Sequence, residues 1–334
     1  MQLDQLKRRD FITLLGGAAV AWPLAARAQQ PAMPVIGILA GAPPEANALR
    51  LRAFREGLGV AGYVEGQNVN IEYRWAEAHT GRLPELAAQL VHGQVAVLVA
   101  AGGIASALAA KAATASIPIV FGTGVDPVSV GLVASLNRPG ANVTGVTSLN
   151  LEVAPKRLEL LHELLPSVTT MALLVNPAVP ANAEPASRSS QAAAHALGLQ
   201  QLHVVHASSD RDFDATFERL GQLHAGALVI APDNLFTAHI KQLATLTVRH
   251  ALPAVYEFRE FAAAGGLMSY GSSQTEYYRL VGTYAGRILK GEKPADLPVQ
   301  QSTKVELFLN LKTAKALGIT VPLPLSGRAD EIFE

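Results

Sequence analysis

The residues of this 334-residue chain that could do chemistry gather in five short junctions. They are Ala40-Gly41-Ala42, Ala101-Gly102-Gly103, Gly124-Val125-Asp126-Pro127, Asn176-Pro177 and Pro232-Asp233-Asn234. Glycines at such places let the backbone come close to a ligand. Amides freed at a helix start can hold a carboxylate, which suits Gly102 and Gly103 ahead of the helical stretch at Ile104; the same pair serves equally as ordinary turn chemistry. Asp126 precedes Pro127, which pushes its backbone away from helix. Its carboxylate can pair with a ligand ammonium or cap the helix that follows, and Asp233 has the same two uses. Tyr256 and Tyr270, in Tyr256-Glu257-Phe258-Arg259 and Ser269-Tyr270-Gly271, suit a flat ligand or an ammonium over a ring. Packing is the better use for Phe258 and Phe261. This is binding chemistry rather than catalysis. A Gly-x-Ser-x-Gly elbow, a Walker loop and a dinucleotide G-x-G-x-x-G are all absent, so no cofactor is expected. His203 and His206 lie three apart on a strand and face opposite sides, so they should not share a metal. Asn142-Val143-Thr144 matches a glycosylation acceptor by chance.

The elements that must position these residues alternate. Residues 35–39, 69–73, 95–100 and 117–121 read as strands, with helical spacing over 49–58, 83–91 and 104–115 between them. This β-α-β-α order implies a parallel sheet with helices on both faces. The pattern restarts after Thr144-Gly145-Val146-Thr147, with helices over 155–165 and 187–197 and strands at 171–175, 201–205, 227–230 and 254–256. Two α/β units in series predict two similar Rossmann-like lobes. The tail carries one helical face (Tyr277, Leu280, Val281, Tyr284, Ile288), a strand at 305–309 and a short helix at 311–317. A tail this long most simply crosses back between the lobes. That predicts a multi-stranded hinge, with the ligand in the cleft at the strand carboxyl ends. Residues 33–147 with 272–303 are expected to form the first lobe, and 148–271 with 304–334 the second; residues 322–334 are expected to wrap the second lobe.

Composition narrows the function classes. Hydrophobic residues make 49% of the chain and charged ones 16%, which excludes disorder. Lys+Arg 27 balances Asp+Glu 27, leaving no basic field for nucleic acid or anionic lipid. With no cysteine, disulfides, thiol catalysis, thiolate metal sites and a lipid anchor on Cys are excluded. Residues 1–28 read as an export signal: Lys7-Arg8-Arg9, an apolar run over 13–26, then Ala26-Arg27-Ala28 as a small-x-small cleavage site. Arg8-Arg9-Asp10-Phe11-Ile12 looks like a twin-arginine signal. A membrane anchor fits less well, because the run is shorter than the ~20 residues of a spanning helix and holds Gly16, Gly17 and Pro23. Cleavage near Ala28 and a soluble periplasmic protein are expected.

Several segments together carry a family resemblance. They include Phe54-Arg55-Glu56-Gly57-Leu58, Gly62-Tyr63-Val64-Glu65-Gly66-Gln67-Asn68, Ile71-Glu72-Tyr73-Arg74-Trp75-Ala76, Asp126-Pro127-Val128, Arg138-Pro139-Gly140 and Lys156-Arg157-Leu158-Glu159-Leu160-Leu161. Near the end stand Gly265-Gly266-Leu267-Met268-Ser269-Tyr270-Gly271 and Asn310-Leu311-Lys312-Thr313-Ala314-Lys315-Ala316-Leu317-Gly318. Across essentially the whole mature chain this resembles the ABC transporter substrate-binding proteins whose best-known members bind tryptophan or tyrosine. One departure is Ala101-Gly102-Gly103, where members often carry Ser or Thr. The resemblance implies a type I periplasmic-binding fold, an aromatic or branched amino acid or related aromatic acid as ligand, and a permease with its ATPase as partners. On it, Asp126 is assigned to the ligand ammonium and the Gly102 and Gly103 amides to its carboxylate, with Gly41 and Ala42 beside them. Asn176, Asp233, Tyr256 and Tyr270 are expected to complete the site from the second lobe. A monomer is expected for a receptor that opens and closes. Two other readings are a ligand-sensing partner of a membrane sensor kinase, which genomic neighbours would reveal, and an exported enzyme, for which no clustered Ser/His/Asp set exists.

Overall fold

The computed structural model describes residues 33–334 apart from 78, 149 and 151. The export signal read at residues 1–28 lies outside the described residues. The strands in chain order are β1 (Val35–Ala40), β2 (Asn70–Trp75), β3 (Val97–Ala100), β4 (Ile119–Thr123), β5 (Val143–Ser148), β6 (Thr170–Val175), β7 (Gln201–His206), β8 (Leu228–Ile230), β9 (Ala254–Tyr256), β10 (Met268–Ser272), β11 (Gln300–Ser302), β12 (Val305–Asn310) and β13 (Glu331–Phe333). They form two sheets, ordered β11-β5-β4-β3-β1-β2 and β13-β12-β10-β9-β8-β6-β7. The first sheet is wholly parallel; in the second only β12 against β10 is antiparallel.

Near-continuous apolar strands such as Val-Ile-Gly-Ile-Leu-Ala in β1 belong in a sheet covered on both faces. The helices Ala48–Val60 and Gln274–Leu289 cover one face of the first sheet, burying Phe54, Leu58, Val281 and Tyr284. Leu83–His92 and Ile104–Ala113 cover the other with Leu86, Leu90, Ala107 and Ala110. The second sheet repeats the plan. Ala154–Leu164 and Pro180–Ala196 lie on one face, and Phe213–Gln222 and Ile240–Arg249 on the other.

Both sheets reverse strand order at one point, between β1 and β3 and between β6 and β8. Open α/β sheets bind ligands outside the strand carboxyl ends at such a point. Four of the five junctions singled out in the sequence stand there, following β1, β3, β6 and β8.

Three segments cross between the sheets: after β5, between β10 and the Gln274–Leu289 helix, and between β11 and β12. They are laced together. The Ser272 amide donates to Asn150 Oδ1 at 2.7 Å, and the Ser273 amide to the Lys304 carbonyl at 2.9 Å. This is the multi-stranded hinge expected of the tail. Residues 322–334 do more than wrap: β13 pairs in parallel with β12, and Arg259 Nε donates to Glu331 Oε2 at 2.6 Å.

The Pro180–Ala196 helix starts earlier than the periodicity over 187–197 suggested. Pro180 opens it, where a missing amide costs nothing, and Pro185 is carried inside it. The Ala48–Val60 and Gln274–Leu289 helices meet backbone to backbone. A Cβ at Gly57 would land on the Arg279 carbonyl oxygen, and one at Gly282 on that of Phe54. Gly57→Val is therefore expected to overpack this seam by about 2–3 kcal/mol, a Tm loss of roughly 4–10 °C. An unchanged melting curve would show that the helices can move apart freely.

Candidate functional site

The strand carboxyl ends of the two sheets face one another across a cavity of about 130 Å³. From the first sheet Ala42, Gly102, Gly103 and Thr123 line it; from the second, Asn176, Asp233 and Glu257; from the hinge, Ser148, Asn150 and Gln274. Arg50, Tyr277, Tyr278 and Phe258 complete its charged and aromatic wall.

Local chemistry builds each loop. Gly103 has φ of 96°, a left-handed conformation that glycine adopts without strain, and it turns the chain into the Ile104–Ala113 helix. Gly102 packs so closely that a Cβ there would meet the Gly41 amide and Ser106 Oγ. Asn47 Nδ2 donates to the carbonyls of Ala42 and Pro43, fixing the first loop. Across the cavity, Asn176 Nδ2 donates to Asp233 Oδ1 at 2.9 Å. The same oxygen accepts from the Leu235 amide at 2.8 Å, capping the short helix Asn234–Ala238. Burial pushes the Asp233 carboxyl up, against the lowering effect of Asn176 and the Leu235 amide.

Two contacts close the cleft. Asn234 Nδ2 donates to the Gly102 carbonyl at 2.7 Å, joining the loops after β8 and β3. The Arg50 guanidinium lies 4.6 Å from the Phe258 ring centroid and 5.9 Å from that of Tyr278, so a cation of the first lobe stacks on an aromatic of the second. Arg50 is buried and its Nε has no hydrogen-bond partner. Buried polar groups are normally paired, so this orphan donor marks a place for an acceptor.

Glu257 follows β9 and is 5% exposed. Burial pushes its carboxyl up to about 7, against the pull of Arg157 and Arg50. Burial also raises the Tyr277 and Tyr278 phenols, which stay neutral; Tyr278 donates to the Ala101 carbonyl at 2.7 Å. A carboxyl whose folded pKa exceeds its unfolded value of 4.5 contributes stability that is full below 4.5 and lost as pH rises through about 7. Glu257→Gln removes that loss. Its Tm relative to the parent protein is expected to rise between pH 5 and pH 8 in ligand-free thermal scans; a constant difference would contradict the shift.

Of the nine residues read from the sequence, the cavity brings together Ala42, Gly102, Gly103, Asn176 and Asp233. Gly41 is buried directly behind it, where a Cβ would strike Asn234. Asp126 is exposed and away from the lining, and its Oδ1 accepts from the Val128 amide at 2.9 Å; the segment after Pro127 is a turn and not the expected helix, so Asp126 fixes that turn and caps nothing. Tyr256 is fully buried beneath the site, its hydroxyl 2.9 Å from Thr237 Oγ1 and donating to the Asp233 carbonyl. Tyr270 packs its ring on the core of the second sheet. Arg50, Glu257, Asn150, Tyr277 and Tyr278 were missed as site residues, and Phe258, read as a packing residue, lines the cavity instead. Arg50 had a signal, since it lies four residues before Phe54 and so on the apolar face of its helix. Glu257 had one too, as an acid just past a strand end.

Two doubly wound lobes, a laced hinge and a charged, aromatic-walled cavity between strand ends define a hinged binding protein of the type I periplasmic-binding architecture. The chain belongs to the ABC transporter substrate binding protein family, whose model matches residues 36–333. It is similar to a tyrosine-binding protein of Clostridioides difficile, 26% identical over 270 residues that span 80% of this chain and 75% of the other. Among solved structures it is similar to a conserved domain protein of Vibrio cholerae (TM-score 0.83, 26% identity, 90% of this chain and 99% of that one). It is also similar to an ABC domain from Streptococcus pneumonia in complex with L-Trp (TM-score 0.82, 25% identity, the same coverage).

Proposed function

We propose that this protein is the exported receptor of an ABC importer and that it captures an α-amino acid, with an aromatic or branched side chain, between its lobes. The observation that carries the reading is a pair of opposite charges lining one buried cavity: Arg50 from the first lobe and Glu257 from the second. A zwitterion satisfies both. Its ammonium pairs with Glu257 and its carboxylate with the orphan donor of Arg50 and the amides of the Gly102-Gly103 loop. Phe258, Tyr277 and Tyr278 supply faces for a ring. The tyrosine- and tryptophan-binding relatives support this ligand class.

Because the two charges belong to different lobes, the ligand binds the closed form better than the open one, and that difference drives closure. We assign residues 33–147 with 272–303 to one moving body and 148–271 with 304–334 to the other. The signal read in residues 1–28 would deliver the chain to the periplasm, and the closed form would dock as a monomer on a permease driven by an ATPase. Among the described residues, no helix is long and apolar enough to cross a membrane.

The test is a thermal-shift screen on protein unfolded and refolded to strip carried-over ligand, against amino acids, aromatic carboxylates, purines and sugars. A ligand at ~100 times its Kd adds about 2.7 kcal/mol of stability. A rise in Tm with aromatic or branched amino acids is expected. A response to sugars or purines alone would discard the amino-acid reading.

A further inference from the structure

Arg157 stands in the Ala154–Leu164 helix, and no part of it is exposed to solvent or lines the cavity. Its Nε donates to the Tyr270 carbonyl at 2.6 Å, but Nη1 and Nη2 have no hydrogen-bond partner. A guanidinium cannot escape burial by losing its proton, and an unpaired buried charge is strongly unfavourable. Something nearby must therefore offset it. The strand register shows what stands there. Ser269 of β10 lies opposite Tyr256 of β9, so Tyr270, which anchors Arg157, runs beside Glu257. The groups that act on the Arg157 charge are Glu257, Tyr256 and Tyr270, and Glu257 is the only carboxyl among them.

We infer that Arg157 is a positioning residue: from behind the cavity wall, anchored on the Tyr270 backbone beside Glu257, its unpaired charge favours the ionised form of Glu257 that meets the ammonium of the ligand. The inference rests on the reading of Glu257 given above, but its mechanism is separate. Six groups face Glu257 from the surrounding elements: Arg157, Arg50, Asp233, Tyr256, Tyr277 and Tyr278. The tyrosines are neutral, and Asp233 is engaged by Asn176 and the Leu235 amide and opposes ionisation of Glu257. The two arginines favour the carboxylate most, with a smaller contribution from the Tyr256 hydroxyl. Arg50 stacks on Phe258 across the cleft and loses that partner when the lobes part. Arg157 is anchored on the second lobe, as Glu257 is, so its charge acts in the open receptor as well as the closed one. It therefore favours the ionised form of Glu257 in the open receptor too, against the burial that pushes the carboxyl up to about 7.

The test reads Glu257 directly in the ligand-free purified protein. Glutamate is labelled with 13C at the side-chain carboxyl, and the Glu257 resonance is assigned by its loss in Glu257→Gln. In Arg157→Gln its titration midpoint is expected to rise by about one pH unit or more, a tenfold change in ionisation. In Arg157→Lys, which keeps the charge, the midpoint should stay within about half a unit of the parent. An unmoved midpoint in Arg157→Gln overturns the inference, because a residue that only braces the Tyr270 backbone would lower Tm and leave the titration alone. Should Arg157→Gln not fold, the double variant Arg157→Gln/Glu257→Gln is expected to recover folding, since the coupled charges leave together. A double variant as damaged as the single one overturns the inference. No ligand enters these measurements, so a shifted midpoint with no amino-acid binding would refute the ligand reading alone, and the converse would refute only the role of Arg157.

Discussion

Glu257→Gln is expected to weaken amino-acid binding on the order of a hundredfold or more while the fold survives. Removing one partner of a buried, hydrogen-bonded charge pair costs about 2–5 kcal/mol, because the other charge is left without compensation. Here the abandoned charge would be the ligand's ammonium, desolvated inside a closed cleft. Gln keeps the size and the hydrogen-bonding oxygen, so the loss reports charge rather than shape. The ionisation of Glu257 gives this expectation a pH signature. With its carboxyl pushed up to about 7 by burial, the empty receptor is partly protonated at neutral pH, and an ammonium ligand must drive that proton off. Affinity should fall about tenfold for each pH unit below 7, and Glu257→Gln should flatten this dependence. Isothermal titrations from pH 5 to pH 8 on both proteins check it. A parent protein whose affinity is level over that range would remove Glu257 from ligand contact.

Arg50→Met should be comparably damaging, for two reasons that can be separated. The variant takes away the orphan donor proposed to meet the ligand carboxylate, and it takes away the cation stacked on Phe258 across the cleft. The first loss lowers affinity on the order of a hundredfold, as expected for a desolvated charge pair. The second lowers the closed population of the empty protein, since a desolvated cation–π contact contributes about 2 kcal/mol. Arg50→Lys should rescue neither fully. An ammonium lacks the planar fork for a carboxylate and the flat face for a ring. Binding isotherms read the first effect, and small-angle scattering of the ligand-free variants reads the second. Arg50→Met binding at parental affinity would place the ligand carboxylate elsewhere, on the Gly102-Gly103 amides alone.

The fold was legible wherever burial and periodicity agreed. Apolar runs such as Val35–Ala40 and Thr170–Val175 signal strands of a two-sided sheet whatever the rest of the chain does. Strands β5, β11 and β13 were not legible. β5 is rich in Thr and Gly, and β11 and β13 are three residues long, so only tertiary pairing defines them. The site was half legible for a related reason. Loops at strand ends are named by glycine, proline and Asp, and all five junctions reach the cavity as the parallel topology demands, the one after β4 through Gly124 and not Asp126. Which side chain then points into the cleft depends on strand phase. At β9, Tyr256 turns into the core and its neighbour Glu257 faces the cavity, so one residue of phase exchanges a structural phenol for a ligand-facing acid. Asp126 and Asp233 show the same limit. Both carry the Asp-at-a-bend signature, but Asp233 caps the Asn234–Ala238 helix and lines the cavity, whereas Asp126 accepts from the Val128 amide in an exposed turn.

The most direct measurement is calorimetric titration of the refolded protein with three compounds that share one ring: L-tryptophan, tryptamine without the carboxylate, and indole-3-propionate without the ammonium. Recognition by Arg50 and Glu257 together requires that L-tryptophan bind at least about a hundredfold more tightly than either analogue. It also requires that the preference over indole-3-propionate vanish in Glu257→Gln. Equal binding of indole-3-propionate and L-tryptophan by the parent protein would contradict the claim that this cleft is built for a zwitterion.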